Sequence, residues 1–311
     1  MNTKYSLMIG LAATLWLAVL SGCGRHEKAP IPLPVLDVAD FDGARALAEV
    51  GAFVALGPRE GGTTNAQRAA DYLAARLRNL AVATEVQSFP DAAPGGTATF
   101  HNVVGKIPGT GDQALIILGA HYDTKSGIPG FVGANDSGSG VGVLLALARA
   151  LKPAWHGAPD IWLAFFDGEE CRVTYGAQDG FHGSRHLAQQ LVATGRAKDV
   201  RAVILLDMIG DRDLTVTLPP NGSPTLTSLA LTAAERLGVR EKFSLSPVAI
   251  LDDHQPFLNA GMPAVDLIDF QFGSAPGRND YWHTAADTPD KLSAESLQTT
   301  GRVVLQMLQN L

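Results

Sequence analysis

Ile161-Trp162-Leu163-Ala164-Phe165-Phe166-Asp167-Gly168-Glu169-Glu170 is the stretch from which the architecture of this chain is read. It opens with an unbroken apolar run of mostly large side chains, the pattern of a strand buried on both faces. The run stops at a glycine and a carboxylate cluster. In an open α/β sheet, ligands bind outside the carboxyl ends of the strands, so Glu169 and Glu170 are candidates for metal ligation and proton transfer. Taken alone, the same letters also fit a solvated acidic turn behind a core strand.

The segments on either side repeat the pattern. Ala114 to Gly119 reads as a second buried strand that delivers His121-Tyr122-Asp123 to its carboxyl end. Glycine-rich Gly133-Ala134-Asn135-Asp136-Ser137-Gly138 follows, ahead of a helix over Val141 to Leu151. Downstream, Cys171 to Phe181 is a polar loop and Ser184 to Val192 a helix. Val200 to Leu206 is an apolar strand ending in Asp207. A helix over Thr225 to Leu237 closes at Gly238, Asp252-Asp253-His254 opens a short helical segment, and Ala264 to Ile268 is a further strand. The final helix, Ser293 to Leu311, carries Leu297, Val304 and Leu308 on one face.

Upstream, Phe41 to Leu56 has apolar residues at mostly helical spacing. A second helix runs from about Ala66 to Leu80, capped by Thr63 or Thr64, with Tyr72, Leu73, Leu77 and Leu80 facing inward. Ala81 to Phe89 and Thr97 to Ile107 read as strands around the turn-rich Pro90 to Gly96. Alternation of strand and helix from Ala114 onward predicts an α/β fold: a single domain, residues 41–311, with a mixed, mostly parallel central sheet flanked by helices on both faces.

Composition sets outer limits. The chain has 311 residues, 46% hydrophobic and 18% charged, with a formal net charge of −7. That length supplies a substantial single core. The acidic balance, with no Lys/Arg run long enough to track a phosphate backbone, weighs against nucleic acid as a partner. Residues 1–22 read as an export leader: Lys4 is followed by an apolar run from Leu7 to Leu20, short for a bilayer span but suited to a signal core. Leu20-Ser21-Gly22-Cys23 resembles a bacterial lipobox, which implies acylation of Cys23 and membrane tethering on the periplasm-facing side or cell envelope; a cleaved soluble signal or an uncleaved anchor are the alternatives. Residues 23–40, charged and then proline-rich, read as a spacer. If Cys23 carries lipid, Cys171 has no partner within the chain, so the domain is held without disulfides. Cys171 itself reads as a small buried filler.

Collected from strand ends and adjoining loops, the ligand-type residues are His121, Asp123, Asp136, Glu169, Glu170, Asp207, Asp252 and His283. Each has a bland explanation, such as a helix cap for Asp136 or Asp252, or core packing for the neighbouring Trp282. Gathered at one sheet edge, they concentrate negative charge and call for a cation. Oxygen and nitrogen donors without thiolate suit zinc in an open catalytic geometry.

These residues carry a resemblance. His121-Tyr122-Asp123, Gly133-Ala134-Asn135-Asp136, Asp167-Gly168-Glu169-Glu170, Leu206-Asp207-Met208-Ile209-Gly210 and His283 look like the zinc aminopeptidases of family M28. Within that group the finer match is to the glutaminyl-peptide cyclotransferases, through Phe165 to Glu170, Gln178-Asp179, Gly183-Ser184-Arg185-His186-Leu187, Asp252-Asp253-His254-Gln255-Pro256-Phe257-Leu258 and Trp282-His283-Thr284. The resemblance covers roughly Thr63 to the C-terminus. It implies a zinc-exopeptidase-like fold, one zinc on Asp136, Glu170 and His283, and Glu169 as the acid/base with Asp207 and Asp252 as its hydrogen-bonded carboxylate partners. Trp282 and Tyr175 would then wall a pocket for peptide or protein N-termini, with Tyr175 standing where animal members usually carry tryptophan.

The implied reaction is cyclisation of N-terminal glutamine to pyroglutamate with release of ammonia, by a protein expected to act as a monomer. In the aminopeptidase alternative, Asp136 bridges two zincs, His121 and Asp207 complete the second site, and Asp123 orients His121. Asn135 belongs to the aminopeptidase wording, although bacterial cyclases resemble it too. A third reading is a non-catalytic binding module on the same scaffold; such scaffolds usually lose ligands, and none is lost here.

Overall fold

The computed structural model describes residues 37–111 and 113–311. The leader 1–22, Cys23 and the tether as far as residue 36 lie outside the described residues. Residues 38–40, at the end of the expected spacer, make one short 3-10 turn in which the Asp37 carboxylate accepts from the Ala39 N–H at 2.8 Å.

The described elements, in order, are α1 Gly43–Val54, α2 Thr64–Asn79, β1 Ala83–Ala93, β2 Gly96–Ile107, β3 Leu115–His121, α3 Gly138–Ala154, β4 Asp160–Phe166, α4 His182–Ala193, β5 Val200–Asp207, β6 Val216–Leu218, α5 Pro224–Arg236, β7 Phe243–Leu245, α6 His254–Asn259, β8 Ala264–Ile268 and α7 Ala294–Leu308. Local chemistry sets several starts. The side chains of Asp42, Thr63 and Ser293 accept from N–H groups in the first turns of α1, α2 and α7, satisfying donors that a helix leaves free. Leu73 and Leu77 of α2 face the core as their spacing predicts. Tyr72 and Leu80 are only half-buried: Tyr72 packs beside Phe53, and Leu80 stands past the last helical turn.

One sheet of eight strands runs in the order β1-β2-β4-β3-β5-β8-β6-β7. Its heart is parallel, with β3 between β4 and β5 and β8 beyond β5; β1 and β2 add an antiparallel edge. At the other edge β6 meets β8 antiparallel through a single residue pair and runs parallel to β7. The sheet is mixed, with helices on both faces, as the sequence leads one to expect. β6 and β7 are additions to that expectation.

The two-sided burial of β4 explains its unbroken apolar run. Ile161, Leu163 and Phe165 face a large core shared with α1, α2, α3, α5 and α7, whereas Ala164 and Phe166 face a smaller one built with α4 and α6. The α3 helix approaches β5 closely enough that a Cβ on Gly140 would lie 2.4 Å from the Leu206 carbonyl oxygen, so only glycine fits there. Among the described residues no helix is long and apolar enough to cross a membrane.

Candidate active site

His121 and Asp207 are the last residues of β3 and β5, and Asp167 to Glu170 leave β4 at the same height. Parallel strands end at one edge, which is why residues far apart in sequence meet there. The turn after β4 depends on Gly168, whose φ of 72° is left-handed and whose Cβ would meet the Phe100 ring at 2.6 Å. The chain leading into α4 locks this turn: the N–H groups of Phe181, His182 and Gly183 donate to the carbonyls of Glu169, Gly168 and Asp167 at 2.9–3.0 Å.

Asp123 sets the glutamate pair. Its two carboxylate oxygens accept the backbone N–H groups of Glu169 and Glu170 at 3.0 and 3.2 Å, fixing both residues at once. Its approach to His121 Nδ1 is looser, at 3.5 Å, and that nitrogen is left without a hydrogen bond. Asp287 does the same for the Asp136 loop, accepting from the N–H groups of Asn135 and Asp136 at 2.7 and 3.0 Å. The Asn135 side chain ties that loop to the turn after β5, accepting from Gly210 N–H at 2.7 Å and donating to the Met208 carbonyl at 3.1 Å. Beneath it the fully buried Arg59 donates to the carbonyls of Tyr122, Val132 and Gly133 at 2.6, 2.7 and 3.1 Å.

The expected ligands converge. Asp136, Glu170 and His283 each offer one donor atom, all within 4.8 Å of one another. His283 Nε2 stands 2.9 Å from Glu170 Oε1 and 3.3 Å from Asp136 Oδ2. Donors about 2.0–2.1 Å from a tetrahedral zinc stand about 3.3 Å apart, so this set of two carboxylates and one imidazole fits the ion. A second group meets the same distance limit: His121, Asp136 and Asp207, with His121 Nε2 at 3.3 Å from Asp136 Oδ1 and 3.2 Å from Asp207 Oδ1. Asp136 belongs to both.

Electrostatics point the same way. Burial opposes the charge on His121 and His283, yet the surrounding carboxylates outweigh it and draw both imidazoles toward the protonated form, His283 to about 9. Asp136 is held ionised against its own burial by the same two histidines. The pocket therefore favours positive charge between these side chains.

Glu169 is buried, and burial together with the charge of Glu170 raises its carboxyl well above the ordinary range; Asp252 adds to the rise. Burial also lifts Asp207, to about 7, against the pull of His121. Asp207 Oδ1 stands 3.2 Å from His121 Nε2, and the buried Asp252 carboxylate, which accepts from the Asp253 N–H, acts on Glu169 through its charge. Asp252 lies at the entry to α6, but the helix starts without a side-chain cap. Tyr175 reaches over both glutamates, its hydroxyl 3.5 Å from Glu169 Oε2 and 3.4 Å from Glu170 Oε2. Trp282 is half-buried, stacked on His283 at 4.0 Å and packed against Phe270.

Several residues of the site carry little signal in the sequence. Lys125, two positions past Asp123, stands 3.3 Å from Glu170 Oε2 and donates to the Cys171 carbonyl at 2.7 Å. Asp179, whose Gln178-Asp179 motif is legible but whose role is not, organises the loop after Glu170 by accepting from the N–H groups of Arg172, Val173 and Thr174 at 2.7–2.9 Å. Asp266, fully buried on β8, and Asp287 sit in stretches that read as plain strand and loop.

The family model described as Peptidase family M28 matches residues 102–308. The glutaminyl-peptide cyclotransferase of Drosophila melanogaster is 33% identical over 257 residues, covering 74% of this chain and 70% of that protein. Among solved structures, a glutaminyl cyclase from an Acidobacteriales bacterium superposes with a TM-score of 0.80 at 33% identity, covering 87% of this chain and 94% of that one. A leucine aminopeptidase precursor from Bacteroides thetaiotaomicron gives 0.77 at 26% identity, covering 89% and 100%. The chain belongs to peptidase family M28 and, within it, to the glutaminyl-peptide cyclotransferases.

Proposed function

We propose that this protein cyclises the N-terminal glutamine of peptides and proteins to pyroglutamate, releasing ammonia, with one zinc held by Asp136, Glu170 and His283. The observation that carries the reading is the 33% identity to a glutaminyl-peptide cyclotransferase across 70% of that protein. The donor set supports it, since two carboxylates and an imidazole leave a position open for substrate. Zinc, when bound there, supplies a Lewis acid toward the side-chain amide oxygen of the glutamine.

The chain's own residues do the rest. The nucleophile is the substrate's own α-amine, so the task is to hold one conformer, which Trp282 and Tyr175 do as walls on either side of the ligands. Glu169 accepts a proton from the α-amine as its nitrogen bonds to the side-chain carbonyl carbon. It returns that proton to the departing nitrogen as the carbon–nitrogen bond of the amide breaks and ammonia leaves. A carboxyl raised by burial suits both halves of the shuttle.

The test is incubation of the protein with a Gln-initiated and a Leu-initiated peptide. Loss of about 17 Da, one ammonia, from the first with neither shortened supports the cyclase. Release of free leucine overturns it in favour of a two-zinc aminopeptidase, the second reading, which the His121, Asp136 and Asp207 group favours.

We further propose that residues 1–22 are removed on export and that Cys23 is acylated, so that residues 23–40 tether the enzyme on the periplasm-facing side or cell envelope. The lipobox-like Leu20-Ser21-Gly22-Cys23 supports this. Mass spectrometry of the mature N-terminus checks it, and an unmodified N-terminus beyond Cys23 refutes it.

A further inference from the structure

An open groove of about 650 Å³ runs between α4 and α6, and of its lining the reaction described above uses only Tyr175. Its volume lies within the ~300–1,000 Å³ typical of ligand pockets. Tyr175, Phe181, Ala188, Val192, Leu251 and Pro256 are among its lining residues, most of them apolar. Val192 and Leu251 stand 53% and 59% exposed on its rim, so large apolar side chains face water there although the core behind them, with Leu187, Leu191 and Phe257, is complete without them. The one charged side chain in the lining, Arg185, is committed elsewhere: its Nη2 donates to Asp91 at 3.0 Å and its Nη1 to the Gly180 carbonyl at 3.1 Å.

Both walls of the groove begin at the active site. On one side Tyr175 places its hydroxyl on Glu169 and Glu170 while its ring stacks on Phe181 at 4.6 Å, so a single side chain faces the carboxylates and the groove. On the other, Leu251 directly precedes the buried Asp252.

We infer that this groove binds the residues that follow the N-terminal glutamine of the substrate and selects apolar or aromatic side chains there. The inference rests on the proposed cyclase reading. A chain whose first residue is held beside Asp136, Glu170 and His283 extends about 3.3–3.6 Å per residue away from them, and Tyr175, whose hydroxyl meets Glu169 and Glu170, also lines the groove. With no free charge in the lining, acidic or basic side chains gain nothing there and lose hydration.

The experiment compares two Gln-initiated pentapeptides, one with phenylalanine and leucine at positions two to four and one with glycine there, on the full chain and on the variants Val192→Glu and Ala193→Glu. Both substitutions sit on the exposed outer turn of α4, where glutamate is compatible with a helix. The wild type is expected to favour the apolar peptide about tenfold in kcat/KM, chiefly through KM, and Val192→Glu is expected to erase most of that ratio. Equal handling of both peptides by the wild type, or an undiminished ratio in both variants, overturns the inference. So does a change of elution volume in the variants with the ratio intact, which assigns the groove to a second copy of the chain.

Failure of the wild type to cyclise either peptide refutes the cyclase reading instead. Calorimetry with the N-acetylated apolar peptide then reads the groove directly: binding weakened about tenfold in Val192→Glu upholds it, and equal binding sinks it.

Discussion

His121 and Asp136 face each other Nε2 to Oδ1 at 3.3 Å, while the other oxygen of the same carboxylate faces His283 Nε2 at 3.3 Å. One aspartate thus stands between two imidazoles, and the identity of what lies on each side decides the chemistry. With a single zinc on the His283 side, His121 instead answers Asp207 and Asp136 as a hydrogen-bonding group. The expected outcome is one zinc per chain by elemental analysis, lost in His283→Ala and retained in His121→Ala. Two zincs per chain, with one lost in His121→Ala, would favour the aminopeptidase.

Replacing Glu169 by glutamine removes the proposed proton carrier and leaves its size and its backbone contact with Asp123 in place. General acid–base catalysis typically contributes about 100- to 10,000-fold, and the loss of kcat is expected in that range with zinc content unchanged. Turnover within tenfold of wild type would mean that another group carries the proton.

Buried Arg59 should matter far more than its distance from the chemistry implies. It donates to three carbonyls on the segments that deliver Asp123 and Asp136, and burial depresses its guanidinium to about 10 despite the nearby charges of Asp123, Asp287 and Asp136. Arg59→Met takes the donor from the Tyr122 and Val132 carbonyls, each loss costing about 1–3 kcal/mol, while the Gly133 carbonyl keeps the Gly138 N–H at 3.1 Å. At about 2–4 °C per kcal/mol for a domain of this size, Tm should fall by roughly 10 °C by calorimetry, with weaker zinc retention. A variant melting with the wild type would remove Arg59 from this role.

Arg59 also shows what the sequence does not carry. The long strands and helices announce themselves through periodicity, and Glu169, Glu170, Asp207 and His121 through their place after apolar runs. β6 and β7 span three residues each, too few for alternation to register. The residues that aim the site are scattered for a different reason. Asp287 reaches the Asp136 loop across 151 positions, and Arg59 reaches Gly133 across 74. Such contacts arise when the sheet closes, and no local pattern anticipates them. Asp123 belongs to both classes: its motif is legible, but its grip on the backbone of Glu169 and Glu170 appears only in three dimensions.

Asp91 on β1 offers a pH signature away from the proposed zinc ligands. Burial alone would raise its carboxyl, but hydrogen bonds from His182 at 2.8 Å and Arg185 at 3.0 Å outweigh that and hold it below its ordinary 3.8. A carboxylate depressed in the folded state stabilises at pH above its unfolded value, and that contribution is lost as pH falls through the folded one. His182 acts in the same direction, since burial lowers its pKa below 6.5 despite Asp91, so acid charges it more readily in the unfolded chain. Asp91→Asn keeps one acceptor and removes the charge. Measured on the metal-free protein, its Tm deficit relative to wild type should be largest near pH 7 and shrink as pH falls below the ordinary carboxylate value of 3.8. A deficit independent of pH would show that Asp91 contributes packing and neutral hydrogen bonds rather than charge.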